Sequence, residues 1–242
     1  MSTILARRRP RPKQETPTPP AGSRFRRRLL GWYGRHQRRL PWRGVRDPYA
    51  ILVSEIMLQQ TQVSRVADFY PRFLARYPTL EELAAAPAWA VRETWEGLGY
   101  YARARNLHAA VRHVVDRLGG RLPETEDDLR RLPGIGRYTA GAVASIAFGA
   151  DVPAVDTNAV RVLSRVFRIR GRRKSAARAR RVWALAAALV PRGRAGDWNQ
   201  ALMDLGAVYC TARAPRCPVC PVRGDCAADA ARGRRSRRDT RR

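Results

Sequence analysis

A chain of 242 residues that is 45% apolar can bury one large core or two small ones without disulfide staples. Its 48 lysines and arginines against 20 acidic residues leave +28 at pH 7, a surplus that points to a polyanionic partner, nucleic acid first. The longest strongly apolar stretch, 182–190, falls far short of the roughly 20 residues that cross a membrane. The basic N-terminus leads into Pro and Thr, not into an apolar signal segment, so a cytoplasmic, nucleoid-associated, reducing location without membrane contact is expected.

Residues 1–23 are rich in Pro and Arg and lack an apolar face, so they cannot offset their own ordering entropy and are expected to be disordered. Residues 227–242 read the same way. Together with 24–28 these ends hold sixteen basic and three acidic residues, so more than half of the positive surplus belongs to the segment between them. The tails suit an auxiliary, non-specific phosphate contact.

From there the pattern is helix after helix: 24–36, 48–62, 63–77, 101–118, 138–148, 157–167, 176–190 and 199–209. In 101–118 the residues Leu107, Ala110, Val111, Val114, Val115 and Leu118 recur at one-face helical spacing. Capping chemistry agrees: Asp47 precedes Pro48, Thr79 and Thr125 open box-like starts with Glu82 and Asp128, and Gly119-Gly120 closes a helix. No stretch alternates like a half-buried strand, so the fold class is all-α.

Four features can carry chemistry. In Leu132-Pro133-Gly134-Ile135-Gly136, two glycines flank one apolar residue between a short helix at 127–131 and the helix from 138. That makes a tight turn whose amides can face a phosphate; an ordinary helix connector is the bland alternative, disfavoured by the basic, all-helical context. Glu55 interrupts the apolar run ILVSEIML. It is either a carboxyl whose pKa burial raises into the range of a general acid, or a residue on a wet stripe of that helix or paired with arginine. Asp156, in AVDTN, reads first as an N-cap. Cys210, Cys217, Cys220 and Cys226 have the spacing C-x6-C-x2-C-x5-C, which in a reducing compartment calls for a metal. The spacing accepts zinc or a four-iron cluster alike.

Together, LPGIG, the aspartate about twenty residues later in VDTN and the cysteine set resemble the endonuclease III superfamily of DNA glycosylases, which combines a helix-hairpin-helix with an iron-sulfur cluster. The resemblance covers residues 24–227. Within it, LPWR at 40–43, SEIMLQQTQV at 54–63, GLGYYARARNL at 97–107 and NQALMDLG at 199–206 look like the adenine glycosylases of the MutY type. It implies a two-lobed helical domain over 24–226, with a six-helix-type lobe at about 48–155. The second lobe, 24–47 plus 156–226, would hold a [4Fe-4S] cluster on the four cysteines.

Carried over by position, the resemblance makes Glu55 the general acid that protonates the adenine ring. Asp156 becomes the carboxylate that stabilises the oxocarbenium-like sugar, and Asn158 a residue that positions the reacting groups; the division of labour parallels glycoside hydrolysis. Arg38, Trp42, Arg43 and Gln200 match the adenine pocket. Gln60 and Tyr100 match the wedge that enters the duplex, while Leu132, Gly134 and Gly136 match the DNA-gripping hairpin. Core packing is the bland alternative for Trp42 and Tyr100. Tyr138 stands where strand-cleaving relatives carry a Schiff-base lysine, which implies a monofunctional enzyme.

The implied partner is double-stranded DNA with a mismatched or damaged base, bound by a monomer, and the implied reaction is removal of adenine opposite guanine or 8-oxoguanine. Only sixteen residues follow Cys226, so the domain that helps such enzymes recognise 8-oxoguanine is expected to be lacking. Two other readings stand beside this one. Short relatives that remove thymine or uracil from G·T and G·U mismatches share RDPYAIL at 46–52, and a non-catalytic damaged-DNA-binding module would keep the fold and charge without needing both carboxylates.

Overall fold

The computed structural model describes residues 20–172 and 175–231, and among them every regular element is helical. In order these are α1 (Pro20–His36), α2 (Pro48–Met57), α3 (Val63–Arg76), α4 (Leu80–Ala85), α5 (Ala88–Thr94) and α6 (Ala102–Leu118). They are followed by α7 (Glu126–Leu129), α8 (Arg137–Ala147), α9 (Thr157–Val166), α10 (Ala176–Leu189) and α11 (Ala195–Val208). Two short 3-10 turns, Cys217–Val219 and Arg223–Asp225, complete the cysteine-bearing end.

The caps behave as their residue types dictate. Asp47 accepts the amides of Tyr49 and Ala50 at 3.1 and 3.3 Å. Thr79 and Thr125 accept those of Glu82 and Asp128 at 3.2 and 3.1 Å, and Gly119 ends α6 with φ 62°. Four boundaries differ from the sequence pattern by four residues or more, the first being α11, which begins at Ala195 and not at 199. α1 begins at Pro20, so residues 20–23 belong to the first helix and not to a tail, and residues 227–231 are helical as well. The remainder of both presumed tails, 1–19 and 232–242, lies outside the described residues. The helix expected over 48–62 stops at Met57, because the chain turns through Leu58–Thr61 with Gln60 left-handed at φ 57°.

Two hydrophobic cores form. Helices α2–α8 enclose the first, around Leu52, Val53, Ile56, Trp95, Leu107, Val111 and Val143. The second lies among α1, α9, α10 and α11, around Phe25, Leu29, Val162, Leu163, Trp198 and Leu205. Each fully buried side chain of this kind contributes about 1.5–3 kcal/mol relative to exposure. A small cluster of Ala142, Ala154 and Met203, flanked by Tyr138 and Ile146, lies at the seam.

Helix α2 is buried along its whole length from Tyr49 to Met57, which is why its sequence is apolar all round. The segment entering α9 is fixed from two sides. A Cβ on Gly141 of α8 would lie 2.4 Å from the Pro153 carbonyl oxygen, so only glycine permits this approach. Asn199 of α11 accepts the Ala154 amide at 3.0 Å and donates to Ser145 Oγ and the Val152 carbonyl at 2.9 and 3.0 Å.

Candidate active site

A cavity of about 450 Å³ opens at the seam, and its lining includes Arg38, Trp42, Arg43, Glu55, Gln60, Tyr138, Asp156, Asn158, Gln200 and Met203. All four residues assigned to the chemistry and all four assigned to the adenine pocket therefore meet in one hollow, although the sequence scatters them over five segments. Its size lies in the range of small-molecule sites.

Glu55 is 5% exposed, since α2 has no wet stripe on which to put it. Tyr138, from the first turn of α8, donates its hydroxyl to Glu55 Oε2 at 2.6 Å. Burial pushes the Glu55 carboxyl above the ordinary carboxylate range; the Tyr138 hydrogen bond and the charge of Arg43 pull it back, while the negative charge of Asp156 adds to the rise. Burial, reinforced by Glu55 and Asp156, likewise holds the Tyr138 phenol well above its usual range. Such a carboxyl keeps its proton nearer neutrality, as an acid catalyst requires.

Asp156 is both the N-cap it resembles and a wall of the cavity. Its Oδ1 accepts the Ala159 amide and its Oδ2 accepts Asn158 Nδ2, each at 2.7 Å. The helix end it caps is the one suited to negative charge. Arg161 extends this chain of contacts, donating to Asn158 Oδ1 at 2.5 Å, to the Gly206 carbonyl at 2.8 Å and to the Cys210 carbonyl at 2.6 Å.

The rim rests on a residue that the sequence did not single out. Asp204 of α11 is fully buried and pairs with Arg38 at 2.7 Å and Arg43 at 2.9 Å. Arg43 also donates to Tyr33 Oη at 2.9 Å and to Gln200 Oε1, so the Gln200 amide is oriented before any ligand arrives. Trp42 packs edge-on to Tyr70, with centroids 5.7 Å apart, and belongs to the first core as well as to the cavity. Asp204 sits in the run LMDLG, where a lone acid among apolar residues was the available signal. Nothing in the sequence pointed to its partners far upstream.

The two wedge candidates share an unusual backbone. Gln60 and Tyr100 have φ 57° and 50°, left-handed values that disfavour a non-glycine residue by about 1–2 kcal/mol. They face one open groove, and Tyr100 is 61% exposed, so it is not a core aromatic. In the hairpin, Gly134 has φ 72° and a Cβ there would meet Asn106 at 2.5 Å. Gly136 caps α8 with open space beside it and no side-chain cap for the first-turn amides. Leu132 and Ile135 are buried in the core; the Leu132 side chain thus anchors the hairpin and does not face a ligand.

The four cysteines are each partly buried and line a single hollow beside α9. Among the described residues no group of three or more His, Cys, Asp or Glu side chains is closed up as a metal site. The donor set nevertheless suits a group that takes four thiolates. Arg165 donates toward Cys210 Sγ at 3.4 Å and to the Thr211 and Ala212 carbonyls at 2.7 and 3.0 Å. Arg28 of α1 pairs with Asp225 at 3.1 Å, and Arg24 pairs with it as well.

This fold and site define a class. Residues 53–188 match the HhH-GPD superfamily base excision DNA repair protein, and the chain belongs to that superfamily. Among curated relatives, it is 48% identical over 213 residues to the adenine DNA glycosylase of Rattus norvegicus, an alignment covering 84% of this chain and 41% of the relative. It is 45% identical over 196 residues to that of Mycolicibacterium smegmatis, covering 80% and 66%. The chain spans about two fifths of the length of the mammalian relatives it matches. Among solved structures, a thermostable thymine-DNA glycosylase superposes with TM-score 0.79 at 33% identity, over 87% of this chain and 97% of that one. A trapped endonuclease III–DNA covalent intermediate superposes with TM-score 0.73 at 25% identity, covering 87% and 96%.

Proposed function

We propose that the protein is a monofunctional DNA glycosylase that hydrolyses the N-glycosidic bond of adenine mispaired with guanine or 8-oxoguanine. The observation that carries this reading is the meeting of Glu55, shifted toward its acid form by burial, and Asp156 across one cavity. An extruded nucleotide in that cavity would take a proton from Glu55 on its base, while Asp156 steadies the positive charge that develops on the sugar. Asn158 holds Asp156, and Arg43 holds Gln200, whose amide can both donate to and accept from an adenine edge. A buried phenol at position 138 cannot form a Schiff base, which supports hydrolysis without strand cleavage.

The Gly134–Gly136 turn and the uncapped first turn of α8 would grip backbone phosphates. Cys210, Cys217, Cys220 and Cys226 would hold a [4Fe-4S] cluster. Its contribution would be structural, cross-linking the loop that Arg24, Arg28, Arg161 and Arg165 already pin to α1 and α9.

A second reading, removal of thymine or uracil opposite guanine, is favoured by the thymine-DNA glycosylase whose chain is matched almost end to end. End-labelled duplexes carrying A·8-oxoG, A·G, T·G or U·G, incubated with the protein and then treated with alkali, separate the two. Breaks at adenine are expected. Breaks confined to T·G and U·G would establish the second reading, and tight binding with no base release would leave a DNA-binding module.

A further inference from the structure

Arg103, on the first turn of α6, is 7% exposed, and among the described residues none of its hydrogen-bond partners is a carboxylate. Its Nη1 donates to the carbonyls of Ile56 at 3.1 Å, Met57 at 2.6 Å and Gln59. Its Nη2 donates to the carbonyls of Gly99 at 3.0 Å and Leu98 at 3.4 Å. One guanidinium thus engages carbonyls at and just beyond the C-terminal end of α2 and, with its other arm, the loop that precedes α6. The rings of Trp95 and Tyr100 lie 5.7 and 5.5 Å from its central carbon.

The carbonyls of Gln59 and Gly99 sit immediately before Gln60 and Tyr100. Those two are among only three described non-glycine residues with positive φ, and both line one open groove of about 890 Å³. A left-handed conformation at two neighbouring loops persists only where something over-determines both. Arginine is suited to do so because its planar fork bridges acceptors on two segments, whereas a lysine offers one compact head group.

We propose that Arg103 is a positioning residue for nucleotide extrusion: it holds Gln60 and Tyr100 against each other as a two-sided wedge and so controls how the target base leaves the duplex. The proposal rests on the DNA-glycosylase reading above, and it assigns Arg103 no contact with the base or with the carboxylates.

The test uses the full chain as Arg103→Lys and Arg103→Gln, with two adenine substrates. In one duplex adenine faces guanine; in the other it faces an abasic analogue, so that it has no partner to leave. Displacing the wedge should slow single-turnover excision from the A·G duplex by about 100-fold, and far less from the unpaired adenine. Equal losses on both substrates, or wild-type rates in Arg103→Lys, would overturn the proposal. So would a failure of both variants to fold, judged by circular dichroism, since Arg103 would then serve the fold alone. Fluorescence of 2-aminopurine at the target position reports unstacking without needing catalysis. If the wild-type protein excises no adenine but raises that fluorescence, and Arg103→Lys does not, the wedge assignment stands while the substrate assignment falls. If the wild type leaves the fluorescence unchanged, the wedge assignment falls with it.

Discussion

Glu55 and Asp156 line the same cavity, yet the two lobes hold them by opposite means. Glu55 lies mid-helix in α2, surrounded by apolar residues, with one hydrogen bond from Tyr138. Asp156 lies at the start of α9, its two oxygens engaged by N–H donors and its approach segment latched by Asn199. Burial makes an acid on one side; hydrogen bonding and a helix N-terminus make a place for an anion on the other. The same functional group thus meets different surroundings in the two cores, as the proposed division of roles requires.

The largest expected effect tests whether Asp156 is more than a cap. Asn caps helices about as well as Asp, so Asp156→Asn should keep the fold and duplex binding while single-turnover excision falls by about 10³-fold or more. Excision at the wild-type rate would reduce Asp156 to a cap and remove one side of the comparison. Glu55→Gln should lose turnover to a similar extent, since Gln can still accept from Tyr138 but has no proton to give.

Asp204→Asn comes next. It leaves Arg43 without the carboxylate that balances it, so stability in a denaturant titration should drop by about 3 kcal/mol. An unchanged midpoint would mean that the rim does not depend on this pair.

The pH dependence sharpens the Glu55 side. Its pKa in the folded chain is raised, so the folded state binds more protons than the unfolded one as pH climbs above the ordinary carboxylate range. The contribution of Glu55 to stability is therefore fully present below that range and is lost as pH rises through its folded pKa. Thermal melts should show the wild type losing stability relative to Glu55→Gln across that window, with excision falling on the same alkaline limb. Parallel curves for the two proteins would contradict the raised pKa of Glu55.

The smallest effect is expected for Ser145→Ala, which removes one acceptor from the Asn199 latch and should cost about 1 kcal/mol in thermal or denaturant unfolding. A change in excision larger than the change in stability would show that the latch places Asp156 and does not merely hold the lobes together.

What the sequence revealed and what it hid divide along the same physical line. Glu55 could be suspected because a charge inside ILVSEIML conflicts with its neighbours, and the helix starts at Pro48 and Thr79 could be read because caps are local. Asp204 and Arg103 were not singled out. Each has partners more than forty positions away in the chain, and a residue type says nothing about such distances. The early end of α2 was hidden for a related reason: Gln60 carries no glycine-like signal for the left-handed turn that stops the helix. Leu132 was assigned to a ligand-facing hairpin when its side chain is what anchors that hairpin to the core.

Helix α11 supplies, in little more than two turns, the latch Asn199, the pocket amide Gln200, the seam residue Met203, the rim carboxylate Asp204 and Gly206. A Cβ at Gly206 would lie 2.5 Å from Asn158, and Cys210 follows directly beyond the helix. For the glycosylase proposed above, Gln200 could not be edited in isolation to change the base it takes. Any shift or rotation of this one rod would reach Asn158, and through it Asp156, together with the cysteine loop, so changes in what the cavity takes should be sought as compound changes along it.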